Sequence, residues 1–461
     1  MSAHPRVAVI GAGASGLASA KALLTRGADV VVYDKGDRPG GLWLQGNSSG
    51  LSPAYDSLHL NTSKGRTEFA AYPMPTNWPD YPSAARVAGY LRDFADAFGV
   101  TEHIRFSTSV TDVDRAGDGH GDGWIVTADR NGSERYDAVI VANGHNWTPR
   151  YPEPAYPGTF AGQQLHAHDY RSPEAFRGKR VLVVGMGNSA MDIAVDAVET
   201  AADVQLSARH GVHIIPKYLY GRPADATGGA LAFLPWRIRQ TLAQTLLSLS
   251  VGRLERYGLP KPSRGLFQSH PTISDGIFHR LTHGEITPRP GISHFDGAAV
   301  VFRDGERAEV DVIVWATGYR VAIPFLSERW LGRDPEALAL YRHVFHPEDP
   351  SLAFVGLMQS TGAALPVVEA QANLAASYLT GTYALPTREE QARAVAHDYR
   401  AAVQRWGATS RPMMRIDFDG YLAEVARELA IGARRRQRGG AVFAPAMRKH
   451  DTHALSAEAN R

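Results

Sequence analysis

The chain of 461 residues contains no cysteine. That excludes a disulfide framework and every mechanism that needs a redox-active thiol pair. Charge of one sign is also missing: the formal net charge is +2, so no global field draws the chain to nucleic acid. No apolar run reaches the ~18 residues of a membrane span. The best candidate, "ALAFLPWRIRQTLAQTLLSLSV", is broken by Pro235, Arg237 and Arg239 and reads as a helical insertion covering a cleft. The first residues run straight into a strand pattern without a signal-peptide core. A cytoplasmic protein with neither a nucleic-acid nor a membrane partner is expected. The basic stretch "ARRRQRGG" from Ala433 reads as a solvated tail.

What the chain does have is a repeated nucleotide-binding unit. "RVAVIGAGASGLASAKALLTRGADVVVYD" runs from Arg6 to Asp34. A β-branched run enters a glycine turn, an Ala/Leu-rich helical segment follows, and a second strand ends at Asp34. Gly11 permits the tight turn, Gly13 lets backbone approach a pyrophosphate, and Gly16 allows close packing of helix on strand. Asp34 stands where a carboxylate would accept hydrogen bonds from a ribose diol. Strand, helix and acid together predict dinucleotide binding.

"KRVLVVGMGNSAMDIAVDAVETAADVQLSAR", Lys179 to Arg209, repeats the unit with Gly185, Gly187 and Ala190 in the turn. The position read as matching Asp34 is Ser207, with Arg209 two residues on. A carboxylate would repel a 2′-phosphate, whereas a hydroxyl and a guanidinium can bind one. The contrast assigns FAD to the first site and NADPH to the second. Two later strands, "YDAVIVANGHNWTP" and "VDVIVWATGY", read as returns against a bound nucleotide. Their acids, Asp137 and Asp311, read as strand-start caps. The predicted fold is α/β, with two Rossmann-like dinucleotide-binding domains. Residues 1–172 form the first part of the FAD domain. Residues 173–320 form the inserted NADPH domain, with a helical insertion at about 220–285. Residues 321–461 complete the FAD domain and carry the C-terminal tail.

Between the two turns lies "FAGQQLHAHDY", with Phe160, Gly162, His166 and Tyr170 in the pattern FxGxxxHxxx(Y/F). With "GGLW" (Gly40–Trp43), "LNTSK" (Leu60–Lys64), "GMGNSAMDIA", "WATGY" and "LPVVEAQA" in the same order, the chain resembles class B flavin-dependent monooxygenases of the flavin-containing monooxygenase type, as a soluble bacterial member. The resemblance spans roughly residues 5–430. It implies that NADPH reduces FAD and that the reduced flavin takes up O2 as a C4a-hydroperoxide. A soft nucleophile of a small molecule, amine nitrogen or sulfide sulfur, then accepts the distal oxygen. It places the fingerprint on the linker into the NADPH domain, with an architectural role for His166. His166 and His168 lack a third ligand cluster nearby, so no metal is expected.

The resemblance also implies roles by position. Gly11, Ala12, Gly13, Ala14, Ser15 and Gly16 would hold the FAD pyrophosphate, with Asp34 on its ribose. Leu42, Trp43, Leu60, Thr62 and Gln371 would lie about the flavin. Asn61 would be the catalytic residue, its amide standing between flavin and NADP. Asn188, Ser189, Ala190 and Asp192 would meet NADP, with Ser207 and Arg209 on the 2′-phosphate. The turn "VANGH" departs from the family's usual threonine form and leaves the contacts of Asn143 open. The alternatives are a Baeyer–Villiger monooxygenase acting on ketones and a non-catalytic FAD/NADPH-binding sensor. The fingerprint's Tyr170–Arg171 ending favours heteroatom oxygenation over the first. "LNTSK" beside the expected flavin face argues against the second. The oligomeric state, a homodimer included, is open at this stage.

Overall fold

The computed structural model describes residues 4–117, 122–226, 236–268, 271–408 and 411–445. The part of the predicted insertion between residues 227 and 235, Pro235 included, lies outside them. The β-branched run after Arg6 forms β1 (Arg6–Ile10), followed by α1 (Ala14–Leu24) and β2 (Asp29–Tyr33). With β3 (Ile104–Arg105), β4 (Ala138–Val141) and a distant strand β10 (Leu352–Phe354), these make a five-stranded parallel sheet in the order β10-β4-β1-β2-β3. After Arg6, its central strands β1 and β4 are apolar and buried on both faces, as a parallel sheet covered by crossovers requires.

A second parallel sheet has the order β8-β7-β6-β9-β5. It comprises β5 (Gln163–His166), β6 (Arg180–Val184), β7 (Asp203–Ser207), β8 (Thr287–Arg289) and β9 (Val312–Trp315). The crossover from β6 to β7 contains α3 (Asn188–Ala197); α2 (Ala84–Ala97) lies in the first unit. Between β7 and β8 comes the helical insertion, with α4 (Trp236–Val251) and α5 (Gly276–Thr282). Because β5 pairs with β9, the second sheet takes its edge strand from Gln163–His166, ahead of the boundary expected at 172.

The two units repeat each other in detail. The Asp137 carboxylate accepts the backbone N–H of Arg6 at 2.7 Å, and Asp311 accepts that of Arg180 at 2.8 Å. Both acids lock the start of a late strand to the start of the central one, as expected of strand-start caps. Gly11 donates to the Tyr33 carbonyl and Gly185 to the Ser207 carbonyl. The register therefore equates Tyr33 with Ser207 and Asp34 with Ala208. The pairing of Ser207 with Asp34 is corrected by one residue.

The chain returns to the first unit through α6 (Leu365–Leu379), which packs along α1 and is buried on nearly every side. Two further helices follow, α7 (Arg388–Trp406) and α8 (Phe418–Gln437). The basic stretch from Ala433 is the last turn of α8 and not a loose tail. Arg434, Arg435 and Arg436 sit at the helix C-terminus, where cations oppose the partial negative charge of unpaired carbonyls.

Candidate active site

The carboxyl ends of β1, β2 and β4 open on one cleft of about 500 Å3, the position where open α/β sheets bind ligands. Gly11 sits at φ +110°, and a Cβ there would stand 2.5 Å from the Ala142 carbonyl oxygen. A Cβ on Gly16 would overlap the Gly11 carbonyl. Gly13 is the extended N-cap of α1, and Gly11, Gly13, Ala14 and Ser15 all line the cleft. Backbone is thus exposed at a helix N-terminus, as a pyrophosphate needs. Asp34 also lines the cleft. Its carboxylate accepts the N–H of Ala12 at 2.5 Å and of Gly36 at 2.6 Å. Burial pushes its pKa up, against the pull of those two donors. Asp34 therefore braces the turn from the edge of the cleft. Ala12 and Gly16 contribute the turn's geometry without lining the cleft.

Leu42 and Trp43 follow Gly40 and Gly41 along the same wall. Leu60, Asn61 and Thr62 do not belong to this lining. Leu60 is buried and its N–H donates to the Pro82 carbonyl. The Thr62 hydroxyl pairs with that of Thr67 at 2.7 Å. Asn61 is half-buried, and its amide makes no hydrogen bond among the described residues. The loop around it is held from outside. Asp225, in the insertion, accepts the Ser63 N–H at 2.7 Å and its hydroxyl at 3.0 Å, while the Lys64 ammonium donates to the Thr76 carbonyl at 2.7 Å.

Gln371 is placed differently from the expectation. It is fully buried in α6. Its amide accepts the Gly356 N–H at 2.8 Å and donates to the His343 carbonyl and the Tyr421 hydroxyl. It braces Gly356, which lines the cleft, instead of reaching the cleft itself. Two residues of "VANGH" have defined contacts. Asn143 donates to the Ala322 carbonyl at 3.0 Å. His145 lines the cleft, with Nδ1 3.1 Å from the Gly356 carbonyl oxygen. Burial, then the charge of Arg411, lowers its pKa to about 4, so the imidazole is neutral at physiological pH. Nothing in the spacing of this motif marks His145.

The second turn has the same build. Gly185 is at φ +143° and a Cβ there would strike the Ala316 carbonyl. Gly187 is the extended N-cap of α3, and Ala190 is buried against the sheet. Asn188 accepts the Ile273 N–H at 2.8 Å, so the insertion holds the turn; Ser189 is half-buried beside it. Ser207 is buried, and its hydroxyl donates to the Pro290 carbonyl at 2.7 Å. Arg209 is exposed and makes no ion pair among the described residues. Its stem and that of Arg303 flank Gly291, whose Cβ would lie 3.0 Å from Arg209 Cγ and 3.5 Å from Arg303 Nε.

Asp192 is also not at the turn. From the second turn of α3 it accepts the Tyr55 hydroxyl at 2.6 Å, joining the two units. One helical turn later Asp196 accepts the hydroxyls of Ser57 and, at 2.9 Å, of Tyr170. Burial raises the pKa of both acids, that of Asp192 to about 6. Tyr55 and Ser57 carry no motif, so nothing local in the sequence marks them.

The fingerprint residues are structural. Phe160 packs on Phe295, and a Cβ on Gly162 would lie 2.6 Å from the Asp311 carbonyl oxygen. His166 is fully buried on β5, between the rings of Tyr151 and Tyr319. Burial lowers its pKa to about 4, and its Nδ1 accepts the His168 N–H. Tyr170 stacks on Phe176 and ends at Asp196.

Two glycine-turn units of this kind, joined by a linker and a side-chain latch, define a two-nucleotide flavoprotein oxidoreductase. The chain belongs to the flavin-binding monooxygenase-like family, whose model matches residues 4–436. It is 34% identical over 438 residues to flavin-containing monooxygenase 5 of Homo sapiens, covering 91% of this chain and 82% of the relative. It is 34% identical over 446 residues to dimethylaniline monooxygenase (N-oxide-forming) 2 of Rattus norvegicus, covering 93% and 83%. Among solved structures, S-allyl-L-cysteine S-oxygenase from Allium sativum superposes with a TM-score of 0.70 at 26% identity, over 93% of this chain and 89% of that one. Cyclohexanone monooxygenase shares the fold, with a TM-score of 0.70 at 20% identity over 94% and 99%. The chain is thus an FAD-containing, NADPH-dependent monooxygenase. No helix among the described residues is long and apolar enough to cross a membrane.

Proposed function

We propose that the enzyme transfers one atom of O2 to the nitrogen of an amine or the sulfur of a sulfide in a small molecule. NADPH supplies the two electrons, and the second oxygen atom leaves as water. Bound FAD supplies hydride acceptance and oxygen activation. The chain's own residues bind and orient the two nucleotides and exclude water. The turn from Gly11 to Gly16 and Asp34 hold the first nucleotide; the turn from Gly185 to Ala190 and Arg209 hold the second. Asn61, whose amide makes no hydrogen bond among the described residues, would stand between the two nucleotides once both are bound.

One observation carries the preference for heteroatoms. The cleft wall beside Trp43 is apolar, with Met358, Leu365 and Val368, and among the described residues the one Lys or Arg lining the cleft is Lys35, which follows Asp34 at the end of β2. Oxygen insertion beside a ketone develops an oxyanion that a positioned cation would stabilise; a soft nucleophile needs none. The N-oxide-forming relative from Rattus norvegicus and the S-oxygenase from Allium sativum support the same reading. A cytoplasmic location belongs to it too, since a cysteine-free chain needs no oxidising compartment. The test is a panel of methyl phenyl sulfide, a tertiary amine and a bicyclic ketone, with NADPH and air. Sulfoxide or N-oxide should dominate, matched to NADPH consumed; lactone as the main product would overturn the proposal.

A further inference from the structure

We propose that the end of α5 carries a surface site for a divalent transition-metal ion of the zinc type, built from His279, His283 and Glu285. The helix continues through His283, whose N–H donates to the His279 carbonyl at 3.1 Å. The two imidazoles therefore stand one turn apart on one face, with ring centroids 4.0 Å apart. Gly284 then takes φ +73°, and the Glu285 N–H turns back to the Arg280 carbonyl at 3.0 Å. This brings the Glu285 carboxylate to the histidine pair. One ligand atom from each residue lies within 4.8 Å of the others.

The donors are available. All three residues are exposed, and no protein group among the described residues hydrogen-bonds either imidazole. Glu285 pairs with Arg280 at 3.2 Å. Arg280 also pairs with Glu199, so a carboxylate oxygen can turn to a cation without leaving the guanidinium unpaired. Metal–nitrogen bonds of about 2.0–2.1 Å bring tetrahedral donors to ~3.3 Å from one another, which side-chain rotation supplies. Two imidazoles and one carboxylate suit zinc, cobalt, nickel or copper, and discriminate against magnesium and calcium. Water completes the coordination.

The site is separate from the chemistry but close to its scaffold. Ile277 of α5 is buried, and a Cβ on Gly276 would meet Val195 of α3 at 3.1 Å. Just before the helix, the Thr272 hydroxyl donates to the Met186 carbonyl at 2.6 Å, beside the Ile273 bond to Asn188. A bound ion would crosslink the exposed end of the element that holds the second nucleotide turn.

The experiment uses untagged full-length holoenzyme, freed of metal with a chelator and titrated with zinc chloride by calorimetry. Magnesium chloride is the control. One equivalent of zinc should bind at micromolar concentration, and magnesium should not. The double variant His279→Ala/His283→Ala should weaken zinc at least ~tenfold, and Glu285→Gln should weaken it less. Cobalt should give visible d–d bands with the wild type that the double variant lacks. Chelator-treated wild type and double variant should melt alike, since both side chains are exposed. Unchanged zinc affinity in the double variant, or no zinc binding by the wild type, would overturn the site.

Discussion

The hydroxyl of Tyr170 donates to the carboxylate of Asp196 at 2.9 Å. That bond ties the last fingerprint residue to α3, and Ser57 takes the same carboxylate from the first unit. The helix that starts at the second nucleotide turn is thereby registered on the segment that leads to Asn61.

Tyr170→Phe keeps the stacked ring and removes the donor. A hydrogen bond to a charged group contributes about 1.5–3 kcal/mol, so the variant should be less stable in urea by that order. FAD content should match wild type, because the first turn is untouched. The peroxide released per NADPH should rise. Wild-type coupling at lowered stability would leave the bond with a purely structural role.

Asn61→Ala should retain FAD and still oxidise NADPH, with more peroxide and less oxygenated product. Asp225→Ala should move in the same direction, since Asp225 holds the adjacent Ser63 backbone. Quantifying product against peroxide checks both. An Asp225 variant with normal coupling would show that the insertion does not set the Asn61 loop.

Arg209→Ala should weaken NADPH roughly ten- to a hundredfold, the loss of a charge-assisted bond of about 1.5–3 kcal/mol. NADH kinetics should hardly change. Competition with 2′-AMP and 5′-AMP isolates the phosphate: the variant should lose the difference between them. Equal losses for NADPH and NADH would remove Arg209 from the 2′-phosphate.

Asp192 gives a pH signature. Burial first, moderated by the Tyr55 bond and the charge of Lys217, holds its carboxyl up at about 6. Between the usual carboxylate value and about 6 the native chain binds more protons than the unfolded one. This contribution to stability is therefore full below the usual value and is lost as pH rises through about 6. Asp192→Asn keeps an acceptor for Tyr55 and cannot ionise. Its melting temperature should gain on the wild type from about pH 4 to about pH 6. A constant difference across that range would mean that Asp192 does not titrate there.

Both nucleotide turns were legible because local stereochemistry dictates them: Gly11 and Gly185 hold backbone angles and close contacts that a side chain would forbid. Asp137 and Asp311 were legible as caps because each precedes its strand. The alignment of Ser207 with Asp34 slipped by one residue because it followed chemical role. The same interval from each glycine leads to Tyr33 and Ser207, and strand alternation buries that side chain. Gln371 and Asp192 misled for another reason. A helix position fixes a side chain's face, but the neighbour on that face comes from elsewhere in the chain. Gly356 and Tyr421 claim the one, Tyr55 the other. Tyr55, Ser57 and Asp225 act only through such distant partners, and no pattern of spacing could have announced them.

The interleaving of the two sheets sets an order of assembly. Every strand of the second sheet lies between Gln163 and Trp315, whereas β4 of the first sheet waits for Leu352–Phe354. During synthesis the ribosome releases the whole inserted unit before the earlier one can finish. Domains fold as units as they emerge, so the later-encoded body closes first. Until β10 arrives, the Ala138–Val141 edge offers unpaired backbone groups to any passing strand. That open edge, present while the chain from Trp315 to Phe354 is made, is a site for misassembly or chaperone capture.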